Sequence, residues 1–204
     1  GPAAARFAVA GPQSLSGAQP VRRPSALEKG KGIRIRPVGV TQAAIVMRSA
    51  RPGQRIKLLS LSGTRTLEAA PEYRWQPIAG IRNYHFELSD STGRALQELD
   101  VEGDSYRLPV SVKLEEGMAY TWALSARLPD GPKYASSADF SIMPAGQRTE
   151  VEALRPSPTA PVAERIAFAA WLEQQDLRDE ARKYWKDAAT ERPEDARLKQ
   201  LAGE

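Results

Sequence analysis

PEYRWQPIAGIRNYHFELSDSTGRALQELD, residues 71–100, and LEEGMAYTWALSARLPDGPKYASSADFSI, residues 114–142, carry the pattern that decides the fold. Tyr73 and Trp75 alternate with Glu72, Arg74 and Gln76, which is the period of a strand with one buried face. Tyr84, Phe86 and Leu88 repeat that pattern, with Asn83, His85 and Glu87 on the outward side. Tyr120, Trp122, Leu124 and Ala126 form the longest alternating run, and Phe140 and Ile142 close the series. Between these runs stand turn signals: Pro77 to Gly80, Ser89 to Gly93, Glu116-Gly117 and the PDGP of 129–132. About seven short strands at this spacing, with no helical period among them, predict a mainly β domain built as a β-sandwich. Trp75, Tyr84, Phe86, Tyr120, Trp122 and Phe140 are its expected core.

Upstream, further short strands are expected at Ile33 to Arg36, at Ala44 to Met47 and over Arg55 to Gly63, placing the sandwich domain at 33–143. Residues 1–32 are rich in Ala, Gly, Pro and Ser and read as a disordered basic leader. Residues 144–160 read as a linker, with a short ordered piece around Val151, Ala153 and Leu154. From Pro161 the period changes. Ile166, Ala169, Ala170 and Glu173 step by three and four, as do Phe168 and Leu172, and then Ala181, Trp185 and Ala188. That predicts a helical hairpin over 161–204, broken near Asp176 and ended before Pro193, with Ala181 and Trp185 in its core and a third helix starting within Ala196 to Leu201.

The central residues PEYRWQPIAGIRNYHFELSD, Gly117, YTWALSA and ADFSI together resemble the fibronectin type III-like (Ig-like) domains of exported or membrane-anchored bacterial proteins. That resemblance covers 71–142 and implies architecture more than activity. The tail resembles a single tetratricopeptide repeat. Ala169 and Leu172 match its first helix, and Ala181, Trp185, Ala188 and Pro193 match the second half of the motif. It departs at Arg165, where the repeat often carries tryptophan. One repeat forms no concave peptide groove, so the pair is expected to lean on the sandwich or on a partner.

Charge is distributed unevenly. Residues 1–60 hold eleven Lys or Arg and one acid, Glu28. Residues 61–150 hold nine bases and thirteen acids, and 151–204 nine bases and eleven acids. A nucleic-acid protein would place its basic face on the folded part, so no nucleic-acid partner is expected. A basic front fits attraction to an acidic surface such as a bilayer, and a solubilising leader fits equally. Gly1-Pro2 reads as the remnant of a protease site, so a signal peptide or a membrane anchor upstream of it is the expectation. With the exported-domain resemblance, this implies a periplasmic or otherwise extracytoplasmic, membrane-anchored cell-envelope protein. No run approaches eighteen apolar residues.

The sequence carries no catalytic, metal or cofactor motif. There are no cysteines, and His85 is the one histidine, expected as a surface residue. No nucleophile-elbow motif surrounds a serine, and KGKG at 29–32 lacks the helix and hydroxyl of a phosphate loop. The SDSTG of 89–93 has too few spaced oxygens for a calcium loop. Glu115-Glu116 and Asp179-Glu180 read as solvated surface charge. Trp171, with Arg165 and Arg178, forms the candidate partner contact; Trp171 on the flank of its helix either packs on the sandwich or marks a partner surface. The expected function is therefore a non-enzymatic protein–protein interaction or scaffold module with no small-molecule substrate. The alternative is a carbohydrate or cell-wall binding module, which needs an exposed aromatic strip.

Overall fold

In the computed structural model, residues 54–204 are described. The expected leader at 1–32 and the strands at 33–36 and 44–47 lie outside them. Among the described residues seven strands run in order: β1 (Thr64–Thr66), β2 (Glu72–Arg74), β3 (Asn83–Asp90), β4 (Ala95–Glu102), β5 (Ser105–Arg107), β6 (Ala119–Arg127) and β7 (Lys133–Ile142). Five form one sheet in the order β1-β7-β6-β3-β4, antiparallel except for the parallel pair β1–β7. The facing layer is the antiparallel pair β2–β5, widened by a bridge between Leu58 and Trp75. The stretch 55–63 is thus not a regular strand. Its backbone joins the small layer irregularly, through Leu59 N–H to Arg74 O and Gln76 N–H to Lys57 O, both 2.8 Å.

The alternating residues fill the space between the layers. Trp75, Tyr84, Phe86, Tyr120, Trp122 and Phe140 are all buried, together with Tyr73, Leu88, Leu124 and Ile142. Tyr73 is the hub: its ring meets Phe86, Trp122 and Phe140 edge-on at 4.9, 5.3 and 5.8 Å. At the start of β6 the Tyr120 hydroxyl accepts the Glu115 N–H at 2.7 Å. A tyrosine at that corner, bonded back to backbone a few residues upstream, is a mark of immunoglobulin-type sandwiches, as is the crossing from the small layer at β5 to the large layer at β6. The sheet region therefore loosely resembles an Ig/fibronectin type III sandwich.

The remainder corrects the expectation of a mainly β chain ending in one hairpin. Four helices follow the strands: α1 (Ala145–Leu154), α2 (Val162–Gln174), α3 (Arg178–Glu191) and α4 (Ala196–Ala202). They occupy as much of the described chain as the strands do, so the domain is mixed β/α. Helix α1 lies inside the stretch read as a linker. It buries only Val151, so its sequence AGQRTEVEAL shows no apolar stripe to announce it. Its first amide, Ala145 N–H, donates to Glu116 Oε2 at 3.0 Å, which occupies half of the acidic pair read as free surface charge. Helix α4 is closed at both ends: Asp195 accepts from Arg197 and Leu198 N–H, and Gly203 takes the left-handed turn at φ 84°.

The helices do not form a separate body. Their apolar cluster of Val151, Phe168, Ala169, Leu172, Leu177, Ala181, Trp185, Ala188, Ala189, Leu198 and Ala202 also includes Leu67 and Met143 from the ends of β1 and β7. The helical layer covers the β1 edge of the large sheet, which would otherwise present unpaired backbone. Arg65 N–H donates to Asp176 O at 2.7 Å, and the Thr64 hydroxyl both donates to Asp176 O and accepts Arg178 N–H at 3.0 Å. Thr64 therefore caps α3, which has no side-chain cap of its own.

Candidate functional site

The docking of α3 against the 59–74 segment leaves a cleft of about 330 Å³ between them. One wall is α3. Asp179, Arg182, Lys183 and Lys186 sit at i, i+3, i+4 and i+7, which a helix gathers on one face. The opposite wall is Leu59, Ser60, Leu61, Arg65, Glu72 and Arg74, with Arg107 reaching in from β5. Glu72 and Arg107 are register partners across β2–β5, and Arg74 projects outward because Tyr73 and Trp75 take the core side.

The floor of the cleft is fixed by Leu61. This residue is left-handed, at φ 53°, a conformation that costs a branched side chain about 1–2 kcal/mol. Three contacts hold it there. Its N–H donates to Asp179 Oδ2 at 2.7 Å, its carbonyl accepts Trp122 Nε1–H at 2.9 Å, and its side chain is buried in the sandwich core. One residue thus links the core tryptophan of β6 to the first turn of α3. Asp179 is consequently not the solvated charge that the sequence suggests. Burial pushes its carboxyl above the usual aspartate range, against the opposing pull of the Leu61 amide and the cations Arg182 and Lys183.

Around this floor the cleft carries six cations, Arg65, Arg74, Arg107, Arg182, Lys183 and Lys186, against four acids, Glu68, Glu72, Asp179 and Glu180. Arg107 lies 3.8 and 3.7 Å from Glu68 and Glu72, Arg182 lies 3.4 Å from Asp179, and Lys183 lies 2.8 Å from Glu180. Arg65, Arg74 and Lys186 have no ion-pair partner among the described residues; Arg65 donates instead to Gln147 Oε1 at 2.6 Å. The site is open, polar and net cationic.

The candidate partner contacts fall elsewhere. Trp171 is half-buried and stacks on Phe168 at 5.7 Å and 21°. Arg165 is occupied within the tail, donating to Ala160 O at 3.1 Å and pairing with Glu191. The two lie six residues apart on α2, about 120° apart around its axis, so they share no face. Arg178 is exposed, and its backbone serves the Thr64 cap. The cationic face of α3 was missed, although its i, i+3, i+4, i+7 spacing stands in the sequence.

On the outer face of the large sheet His85 is surrounded by carboxylates. Its Nδ1 is 2.9 Å from Asp100 Oδ1, and its Nε2 is 3.2 Å from Glu98 Oε1 and 3.3 Å from Glu87 Oε1. Partial burial works to lower its pKa, but the hydrogen bond to Asp100 and the charges of Glu87 and Asp100 outweigh it and hold the imidazole above its ordinary value. Among the described residues its hydrogen-bond partners are carboxylates, and Ser125, its register partner on β6, lines the same hollow. His85, Glu87 and Glu98 are also the described side chains whose ligating atoms gather closely enough to hold a metal ion.

No family model matches this chain, and no curated protein does. Among solved structures, the solution structure of the fibronectin type III domain of the human collagen alpha-1(XX) chain is similar to it. The two share 16% identity with a TM-score of 0.35, over 55% of this chain and 90% of that one.

Proposed function

We propose that this chain is a non-catalytic protein-binding module that holds an acidic segment of a partner protein in the cleft between the sandwich and α3. The observation that carries this reading is the pairing of two cationic walls, Arg182, Lys183 and Lys186 facing Arg65, Arg74 and Arg107. Three of those cations, Arg65, Arg74 and Lys186, have no acid of their own to satisfy them among the described residues, so charge complementarity favours an anionic occupant. The aromatic side chains a sugar platform would need are spent elsewhere: the large hydrophobic residues exposed on the described surface are Leu59, Val110, Met118, Leu154 and Leu201. The bacterial envelope, with this module tethered near a membrane, is the proposed setting. The support is the charge of about +10 over residues 1–60, which an anionic leaflet attracts.

The test is fluorescence anisotropy with a labelled Glu-rich peptide and its Gln counterpart. The reading expects the Glu peptide to bind, to weaken steeply as salt rises, and to lose at least about tenfold in affinity to Arg74→Glu with Lys186→Glu. Equal binding of the Gln peptide, unchanged binding by the doubly reversed variant, or tighter binding of a DNA duplex would overturn it. The envelope setting is tested by fractionating cells that make the full-length protein; recovery in the cytosolic fraction contradicts it.

A further inference from the structure

The outer face of the β3–β4 pair bears a second arrangement, independent of the cleft. His85 and Glu87 project from the same side of β3, two residues apart. The register sets Asp100 opposite His85 and Glu98 opposite Glu87, so four ionisable groups form a square on one face. Glu87 is 2% exposed.

We propose that His85 Nε2, Glu87 and Glu98 bind a divalent transition-metal ion of the zinc class, with Asp100 as the positioning residue behind the imidazole. The distances fit a bound metal ion. A charge-assisted N–H···O contact closes to about 2.7–2.9 Å, as the Nδ1 contact to Asp100 does at 2.9 Å. The Nε2 contacts, the shorter of them within hydrogen-bond range, are 3.2 and 3.3 Å. That is close to the edge of a tetrahedron whose metal–ligand bonds are about 2.0–2.1 Å. The three ligating atoms lie within 4.8 Å of one another, inside the span one ion bridges. A carboxylate on Nδ1–H is the usual outer partner of a metal-bound histidine, since it fixes the tautomer with the Nε2 lone pair directed at the ion. Arg127 and Lys133 line the neighbouring hollow with His85 and Asp100. Three protein ligands leave a fourth position open, reached past Glu98, whose side chain is 54% exposed.

The experiment is titration of the whole chain with Zn²⁺, in competition with a chromogenic chelator, and in parallel with Ca²⁺. The expected result is one equivalent of Zn²⁺ bound, with no comparable Ca²⁺ binding. His85→Gln and Glu98→Gln should abolish it, and Asp100→Asn should weaken it about 10–100-fold. Nitrogen NMR of the His85 ring reads the site directly: a proton on Nδ1 and a metal-shifted Nε2 support it. Metal-free melting midpoints within a few degrees of wild type separate lost ligation from lost folding. Absence of stoichiometric Zn²⁺ binding, binding that survives His85→Gln in a folded variant, or Ca²⁺ binding as tight as Zn²⁺ would each overturn the proposal.

Discussion

Removing the carboxylate of Asp179 tests the joint on which the cleft is built. In Asp179→Ala the Leu61 N–H loses its acceptor at 2.7 Å, while the Leu61 carbonyl stays bound to Trp122 and its side chain stays in the core. An orphaned, largely buried donor costs about 1–3 kcal/mol, and the left-handed backbone it helped to hold adds strain that α3 no longer offsets. Against this stands the relief of a carboxylate that burial disfavours. A net loss of about 2 kcal/mol is expected; with a urea slope of about 2 kcal/mol/M this moves the unfolding midpoint down by about 1 M. Asp179→Asn keeps an acceptor and drops the charge, so it should recover most of the loss. The sign of the pH effect follows from the direction of the shift. The folded carboxyl titrates above its unfolded value, so between the two the folded state binds more protons. Its contribution to stability therefore falls as pH rises through that window and stays low at neutral pH. Relative to wild type, Asp179→Asn should look better at about pH 7 than at about pH 4. Urea curves followed by far-ultraviolet circular dichroism at both pH values read this out. A wild-type midpoint for Asp179→Ala, or an Asn variant that gains on wild type toward acid, refutes the reasoning.

Three further outcomes concern how the two cores are filled. Trp185→Ala empties the centre of the helical cluster and should cost about 3–5 kcal/mol, seen as a lower urea midpoint; a cost under about 1 kcal/mol contradicts its placement. Met143→Ala removes a side chain that the sandwich contributes to the helical core, and should cost about 2–5 kcal/mol, with the sheet and helix signals melting together. A helix signal lost well before the sheet signal would show that the helices are a separate body. Tyr120→Phe breaks the corner bond to Glu115 without opening a cavity, and should cost about 0.5–1.5 kcal/mol in the same assay.

The sheets were legible because alternation is a local signal. Tyr73/Trp75, Tyr84/Phe86/Leu88 and Tyr120/Trp122/Leu124 declare their buried face without knowledge of any partner strand. What joins the sheets to the helices is not local. Leu61 and Asp179 are 118 residues apart, and nothing beside either one marks it as half of a bond. Asp179 reads as surface because charged residues usually are, and its burial follows only from where α3 docks. Helix α1 escaped because it has one buried residue among charged and small ones. The His85 cluster shows the same limit. Its outward position on β3 was readable, but the Asp100 and Glu98 opposite it depend on the β3–β4 register. The α3 cations differ, since their helical spacing was present and only the facing wall of Arg65, Arg74 and Arg107 had to come from the fold.

The most direct test of the central claim is an amide-shift map of the labelled protein titrated with the Glu-rich peptide at low salt. The account predicts shifts concentrated at Leu59 to Leu61, Arg74, Arg107 and Asp179 to Lys186, fading as salt is raised. Shifts confined to the β4 edge or to the α2 surface around Trp171, or no shifts at all, would contradict it.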